Sequence, residues 1–211
     1  MKDLLALARY AFAGLRVMIV ATVVLGIAYP LLVTGVAQVT MPWRANGSLV
    51  TTTGAHTTDT SKAVGSALIG QFNSSAKLFY PRPSAAGTGS VLSKAQYDMT
   101  DTYGTNLGPN AQPLLDEIKA AQAIISKREG VVVNQIPPDA VTASASGLDP
   151  DISPAYAVIQ IPRVARANGL TIAQVTALVH QFTSGRTLGV LGEPRVNVLL
   201  LNIAVMNAAK H

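Results

Sequence analysis

The chain has 211 residues, 49% of them hydrophobic and 13% charged, with a formal net charge of +5. An average domain is about 25% charged, so this composition excludes a disordered chain and argues against a wholly soluble one. No cysteine is present, which excludes a disulfide framework, a thiolate metal site and a cysteine nucleophile.

The charge is uneven. Lys2, Arg9, Arg16 and Arg44 face only Asp3, a net of +3, while the other 167 residues hold 12 bases against 10 acids. The basic balance is therefore mostly an N-terminal property. No Lys/Arg cluster interleaved with aromatics follows, so nucleic acid is not an expected partner.

From Val17 to Met41 no charged residue occurs in 25 positions. At about 1.5 Å per residue, roughly 20 residues cross a hydrocarbon core, so the run is long enough to span a bilayer. A signal peptide has an apolar region of only about 7–15 residues and a small-x-small cleavage site. Gly35-Val36-Ala37 fits that site poorly, and the reading is an uncleaved anchor. We place a short cytoplasmic N-terminus at 1–11, the membrane helix at 12–41 and an extracytoplasmic α/β (α+β) domain at 42–211. The cations before the span put the N-terminus in the cytoplasm. Pro30 is expected to kink the helix or mark a contact with other helices. Gly26 and Gly35 would allow close helix approach, and Trp43 suits the outer interface.

Beyond the span, Ser48–Thr53 and Ala63–Ile69 read as short strands. Ser74–Ser90 carries loop chemistry in Tyr80-Pro-Arg-Pro-Ser84 and Gly87-Thr-Gly89, and Tyr103–Asn110 is turn-rich. Ala111–Glu129 places Leu114, Ile118, Ala121 and Ile125 on one helical face, ended by Gly130. Val131–Val133 and Ala140–Thr142 are candidate strands. Ser153-Pro154 opens a helix towards Asn168-Gly169, bent by Pro162. Thr171 and Gln174 form a capping box, before an apolar stripe from Ile172 to Phe182 ended by Gly185. Gly192-Glu-Pro-Arg195 turns into a last helix carrying Val196, Leu199, Leu200, Ile203 and Met206.

Familiar chemistry fails at its decisive residues. Gly65-Ser-Ala-Leu-Ile-Gly70 has phosphate-loop glycine spacing, but Gln71 and Phe72 replace the lysine and the hydroxyl. Asp149-Pro-Asp151-Ile-Ser153 opens like a calcium loop, yet Pro154 and Gln160 stand where glycine and glutamate are needed; a helix-entry turn is the reading. His56, His180 and His211 are scattered, and His180 lies on the edge of an apolar stripe. Ser144 or Ser146 has no nucleophile-elbow glycines around it. The chain alone is expected neither to hydrolyse ATP nor to conduct ions. No cofactor or metal is assigned to it.

The remaining motifs are Pro42-Trp-Arg-Ala-Asn-Gly-Ser48, Gly65-Ser-Ala-Leu-Ile-Gly-Gln71, Arg82-Pro-Ser-Ala85 and Asn106-Leu107. They continue with Val141-Thr-Ala-Ser-Ala-Ser-Gly-Leu-Asp149, Ile159-Gln-Ile-Pro-Arg-Val-Ala165, Gly192-Glu-Pro-Arg-Val-Asn-Val198 and Leu201-Asn202. In order and content they resemble the C subunit of the Kdp potassium-transporting ATPase, over nearly the whole chain. The resemblance implies a bacterial inner-membrane complex in which a channel-like A subunit carries potassium and a P-type B subunit hydrolyses ATP. A small F subunit completes it. The C subunit is implied to be non-catalytic, needed for assembly, and to raise the ATP affinity of the B subunit, with ATP and K+ acting at the partners. Candidate docking or bracing residues are Gly26, Gly35, Gln71, Arg82, Asn106, Thr142, Ser144, Gly147, Asp149, Gln160, Arg163 and Asn197. The sequence departs from the family at Tyr103-Gly-Thr-Asn106, where Ser-Gly-Gly-Ser-Asn is usual, and at Pro150-Asp151. The first departure weakens any ATP-cassette likeness, and the second leaves no histidine role to transfer.

Two other readings stand beside it: an anchored module for a small polar ligand, and an anchored hydrolase using Ser146 and His180. The outer segment has 22 charged residues in 167, a charge-poor surface suited to burial in a complex. On the topology read here, protease added to spheroplasts should digest the segment after residue 44 and spare a tag before residue 17. Protection of the large segment would reverse the orientation.

Overall fold

The computed structural model describes residues 2–73, 75–87 and 98–210. The expectations for Ser74, Thr88–Ser90 and His211 lie outside the described residues. The chain divides into two compact units, Met1–Ser48 and Leu49–His211.

The first unit is one long helical run, α1 (Lys2–Ala21), a wide π-helical stretch (Thr22–Ala28) and α2 (Tyr29–Thr40), followed by the short α3 (Pro42–Ala45). Proline lacks an N–H and its ring crowds the carbonyl four residues back. Here that carbonyl belongs to Gly26, inside the stretch that widens. The Tyr29 amide accordingly donates to Val24, five residues back, the spacing of a π turn. Pro30 is thus accommodated by widening the helix. Leu4–Thr40 is long and apolar enough to cross a membrane, and its apolar side chains lie open to the surroundings. At 1.5 Å per residue its 37 residues extend about 55 Å, more than the roughly 30 Å of a hydrocarbon core.

The second unit mixes helices with very short strands. β1 (Leu49–Val50) lies between β2 (His56–Thr57) and β3 (Gly65–Ser66), both antiparallel to it, with Val50 opposite His56 and Gly65. The helical part follows with α4 (Gln112–Glu129), a 3-10 turn at Val133–Gln135 and α5 (Pro138–Val141). β4 (Asp151–Ile152) leads into α6 (Pro154–Asn168) and α7 (Ile172–Gln181), then β5 (Thr183–Ser184), β6 (Arg195–Asn197) and α8 (Val198–Ala208). In the second sheet β6 lies between β4 and β5, with Val196 opposite both Ile152 and Thr183.

Local chemistry sets most helix ends. The Ser153 hydroxyl accepts from the Tyr156 amide at 3.0 Å, with Pro154 at the first helical position. Thr171 and Gln174 form the expected capping box. Gly130 and Gly169 close α4 and α6 in the left-handed region, at φ 72° and 70°, where a side chain would be strained. Pro162 sits inside α6, which continues through it.

Four expectations are corrected. Residues 140–142 are not a strand: Ala140 and Val141 lie in α5, because Pro138 at the first turn presets helical φ. Val131–Val133 is no strand either, and Val133 opens the 3-10 turn. α7 stops at Gln181, where β5 forms against β6, well before Gly185. The last helix starts at Val198, since the Asn197 side chain caps it by accepting from the Leu200 amide at 3.1 Å, leaving Val196 in β6.

The core brings together Phe79, Ala121, Ile125, Ile152, Tyr156, Ile161, Val164, Val175, Val196 and Leu201. It is built by helices because strands of two or three residues cannot bury a face. Leu201 is fully buried, so Leu201→Ala in the full chain should cost about 2–5 kcal/mol. Ile124→Ala on an exposed helix face should stay within about 0.5 kcal/mol. Chemical denaturation followed by circular dichroism in mild detergent measures both.

Candidate functional site

Residues 76–84 begin in an exposed turn at 76–78 and run on past the buried Phe79 without a partner strand, and side chains supply the hydrogen bonds that a neighbouring strand would give. Gln160 on α6, with no exposed surface, accepts from the Tyr80 amide at 2.8 Å and donates to the Tyr80 carbonyl at 3.2 Å. Asn202 on α8 does the same for Phe79, accepting at 2.7 Å and donating at 3.0 Å. Asn73 adds a second donor to the Phe79 carbonyl at 2.6 Å, and Asn168 donates to the Lys77 carbonyl at 2.7 Å.

Arg163 fastens the same segment from α6. Its Nη1 donates to the Leu78 carbonyl at 2.9 Å and also to Ala76, and its Nη2 reaches Gln160 Oε1 at 2.9 Å. Its Nε binds Glu129 Oε2 at 2.8 Å, and Arg128 Nε takes Oε1 of the same carboxylate. The Glu129 side chain is wholly buried. Both guanidinium groups lie over the Tyr80 ring, with Cζ 3.9 and 4.8 Å from its centroid. Such cation–ring contacts contribute most when desolvated. Arg128 also donates to the Tyr156 hydroxyl at 3.0 Å. Burial pushes the Tyr156 phenol up, and Arg128 opposes that shift.

A second cluster joins the end of this segment to the 142–149 loop. Arg82 Nη1 binds Asp149 Oδ2 at 2.8 Å and its Nη2 lies 3.4 Å from the Thr142 carbonyl. The Ser84 hydroxyl donates to the Gly147 carbonyl at 2.6 Å, and the Ser144 amide donates to Pro83. The Thr142 hydroxyl folds back onto Pro138, and Ser144 pairs with Ser146 at 3.1 Å. Gly147 is required twice over: its φ is +72°, and a Cβ would come within 2.7 Å of the Tyr103 carbonyl. The Ser146 carbonyl receives the Tyr103 amide and the Thr102 hydroxyl. The Gly70 amide donates to Leu148.

The next residues continue the same bracing. Asp149 accepts the Asp151 amide at 3.0 Å. The Asp151 carboxyl is pushed up by burial and by the neighbouring Asp149 charge, against Arg195 at 3.2 Å. Asn197 donates to the Ala67 carbonyl at 2.9 Å. The Gln71 side chain lies directly over Gly65, where a Cβ would collide with it.

The sequence candidates thus divide. Arg82, Thr142, Ser144, Gly147 and Asp149 form one cluster, while Gln160 and Arg163 hold the strap formed by residues 76–84. Gln71 and Asn197 brace the first sheet region. Asn106 lies apart and exposed, with φ +52° and a donor bond to the Gly104 carbonyl. Gly26 and Gly35 lie on the N-terminal helix. Ser146 Oγ is engaged by Ser144 and by the Leu148 amide, while His180 is exposed on α7. Sequence reasoning missed Glu129, Arg128, Tyr80 and Asn202 as a connected set. The available signal was polar residues on apolar helical faces, such as Asn202 between Leu201 and Ile203.

A buried group stranded by loss of its partner costs about 1–3 kcal/mol. Gln160→Leu removes the Gln160 bonds to both backbone groups of Tyr80 and should lower stability by up to about that amount for each. It should also open residues 76–84 to limited proteolysis. Asn106→Gly, which relieves a positive φ at an exposed site, should change stability by less than about 0.5 kcal/mol.

A family model described as KdpC, the c chain of a K+-transporting ATPase, matches residues 11–207. The potassium-transporting ATPase KdpC subunit of Kineococcus radiotolerans is 45% identical over 203 residues, covering 96% of each chain. That of Rhodospirillum rubrum is 46% identical over 184 residues, 87% of this chain and 88% of its own. That of Caulobacter vibrioides is 49% identical over 185 residues, 87% and 86%. The matched residues run from the N-terminal helix through α8 and include the strap, the 142–149 loop and their bracing side chains, and the chain belongs to the KdpC family.

Proposed function

We propose that this chain is the non-catalytic, membrane-anchored subunit of an ATP-driven potassium uptake complex. The observation that carries the reading is the family match across residues 11–207, which spans both the apolar helix and the braced second unit. In this reading Leu4–Thr40 crosses the bacterial inner membrane with the N-terminus in the cytoplasm. The large unit stands outside, over the potassium entry side of a channel-like A subunit. A P-type B subunit hydrolyses ATP and a small F subunit completes the assembly. ATP and K+ act at those partners. An external domain cannot touch a cytoplasmic nucleotide, so any gain in the B subunit's ATP affinity must be transmitted through the assembly.

The braced architecture supports a scaffold role. Gln160, Arg163 and Arg82 hold the protein's own backbone, and Asp149 pairs with Arg82, which ties residues 76–84 and the 142–149 loop to the helices. A rigid surface loses little freedom on docking, and affinity gains accordingly.

The test is purification of the complex through a tag on this chain in mild detergent. The channel-like and ATP-hydrolysing subunits should co-purify with potassium-stimulated ATPase activity. Supplying residues 1–44 alone should weaken assembly and transport. Full activity without the outer unit would end the covering role, and loss of co-purification in the intact chain would end the reading.

A further inference from the structure

A cleft of about 350 Å³ opens on the second unit where α8, the end of α6, residue Lys77 of the strap and the loops around Thr52 and Val64 meet. That volume falls in the range of small-molecule sites. Its floor is apolar: Ile203 is buried, while Val64 and Met206 each remain 42% exposed to water. The walls are fixed, because the Asn168 amide donates to the Lys77 carbonyl at 2.7 Å and the Asn207 amide to the Thr52 carbonyl at 3.2 Å. Those two amides therefore have donors already in use. Lys77 and Lys210 both line the cleft and no acidic residue does. Among the described residues, neither ammonium group takes part in an ion pair.

Two cations that form no ion pair among the described residues, beside an apolar floor left partly open at Val64 and Met206, are complementary to one class of ligand. We propose that this cleft binds an anionic single-chain amphiphile. Its acyl chain lies on Val64, Ile203 and Met206, and its carboxylate sits between Lys77 and Lys210. Burial of the chain supplies the non-directional attraction, and the two charge-assisted contacts select an anionic head over a neutral one. A purely polar ligand would leave the apolar floor wet, and a neutral lipid would leave the lysines without a partner. The inference rests on the cleft alone and does not depend on the transport reading.

The test uses the full chain in phosphatidylcholine nanodiscs with a diazirine-bearing palmitate as probe. After illumination, mass spectrometry locates the adducts. Peptides covering 198–210 and the region of Val64 to Lys77 should be labelled, and excess unlabelled palmitate should suppress that labelling. The Lys77→Glu, Lys210→Glu double variant should reduce it about tenfold or more, as loss of a charge-assisted contact implies. Ala209→Trp, which narrows the cleft without altering charge, should reduce it comparably. Labelling of the 4–40 helix by bilayer-resident probe should stay constant and serves as the internal reference. Cleft labelling unchanged in both variants, or adducts confined to the 4–40 helix, would overturn the proposal. So would suppression by inorganic phosphate as complete as by palmitate, because the site would then read a bare anion.

Discussion

The second unit depends on two side-chain amides that take the place of a β-strand. Where a peptide segment is buried, its N–H and C=O groups must be paired. The strands here are two or three residues long and provide no ladder for residues 76–84. An Asn or Gln amide carries one acceptor and two donors on one short planar group, so it can match a peptide's donor and acceptor together. Gln160 does this for Tyr80 and Asn202 for Phe79. One amide comes from α6 and the other from α8, so the strap also fixes those two helices to a common segment. Truncating Gln160 removes the partner of both Tyr80 backbone groups, truncating Asn202 removes the acceptor for the buried Phe79 amide, and either change loosens a helix from its neighbour.

The Arg128–Glu129–Arg163 cluster is a second layer on the same segment, with a different physical logic. Burying a carboxylate is costly, and two guanidinium groups with good geometry offset that cost without turning the cluster into a large source of stability. What the cluster supplies is specification. Arg163 reaches Glu129, Gln160 and the backbone of the strap at once, and the Tyr80 ring lies beneath both arginines. Any shift of α6 along its axis would break several of these bonds together. The unit can therefore hold one arrangement with a small number of charges, because Arg82, Arg128, Glu129, Asp149 and Arg163 lie where they constrain backbone, while Lys119, Lys127 and Arg166 are exposed.

Legibility in the sequence followed the range of the interaction involved. Ser153 and Pro154, Thr171 with Gln174, and the closing glycines 130 and 169 act within one helical turn, and they mark the end of α4, both ends of α6 and the start of α7. The short strands were harder, because two residues cannot display a period of two. β1 and β3 fell inside the expected segments only as fragments, and β2 went unnoticed between polar residues. The apolar run at 196–205 hid the boundary at Asn197, where a cap and a strand register decide between two apolar neighbours. Gln160, Arg163, Arg82 and Asp149 could be singled out as residues. Their long-range partners lie 34 to 87 positions away, and no local pattern encodes a contact of that span. Clustering Arg82 with Asp149 while separating Asn106 from them required the fold.

The N-terminal helix poses a complementary problem, since the apolar surface of Leu4–Thr40 is not buried within its own unit among the described residues. Gly26 and Gly35 were expected to let it approach one neighbour closely. Nine positions separate them, and at about 100° per residue that is two and a half turns, which places them on opposite sides of a regular helix. The π-helical stretch at Thr22–Ala28 shifts this angle too little to bring the two onto one face. A close approach at Gly26 and another at Gly35 therefore need different neighbours. Neither glycine is demanded by the helix itself, since a Cβ at Gly35 would meet nothing and one at Gly26 would only touch Thr22. The two small residues open two faces, and a helix packed between two neighbouring helices would use both, whereas one lying against a single neighbour would use one.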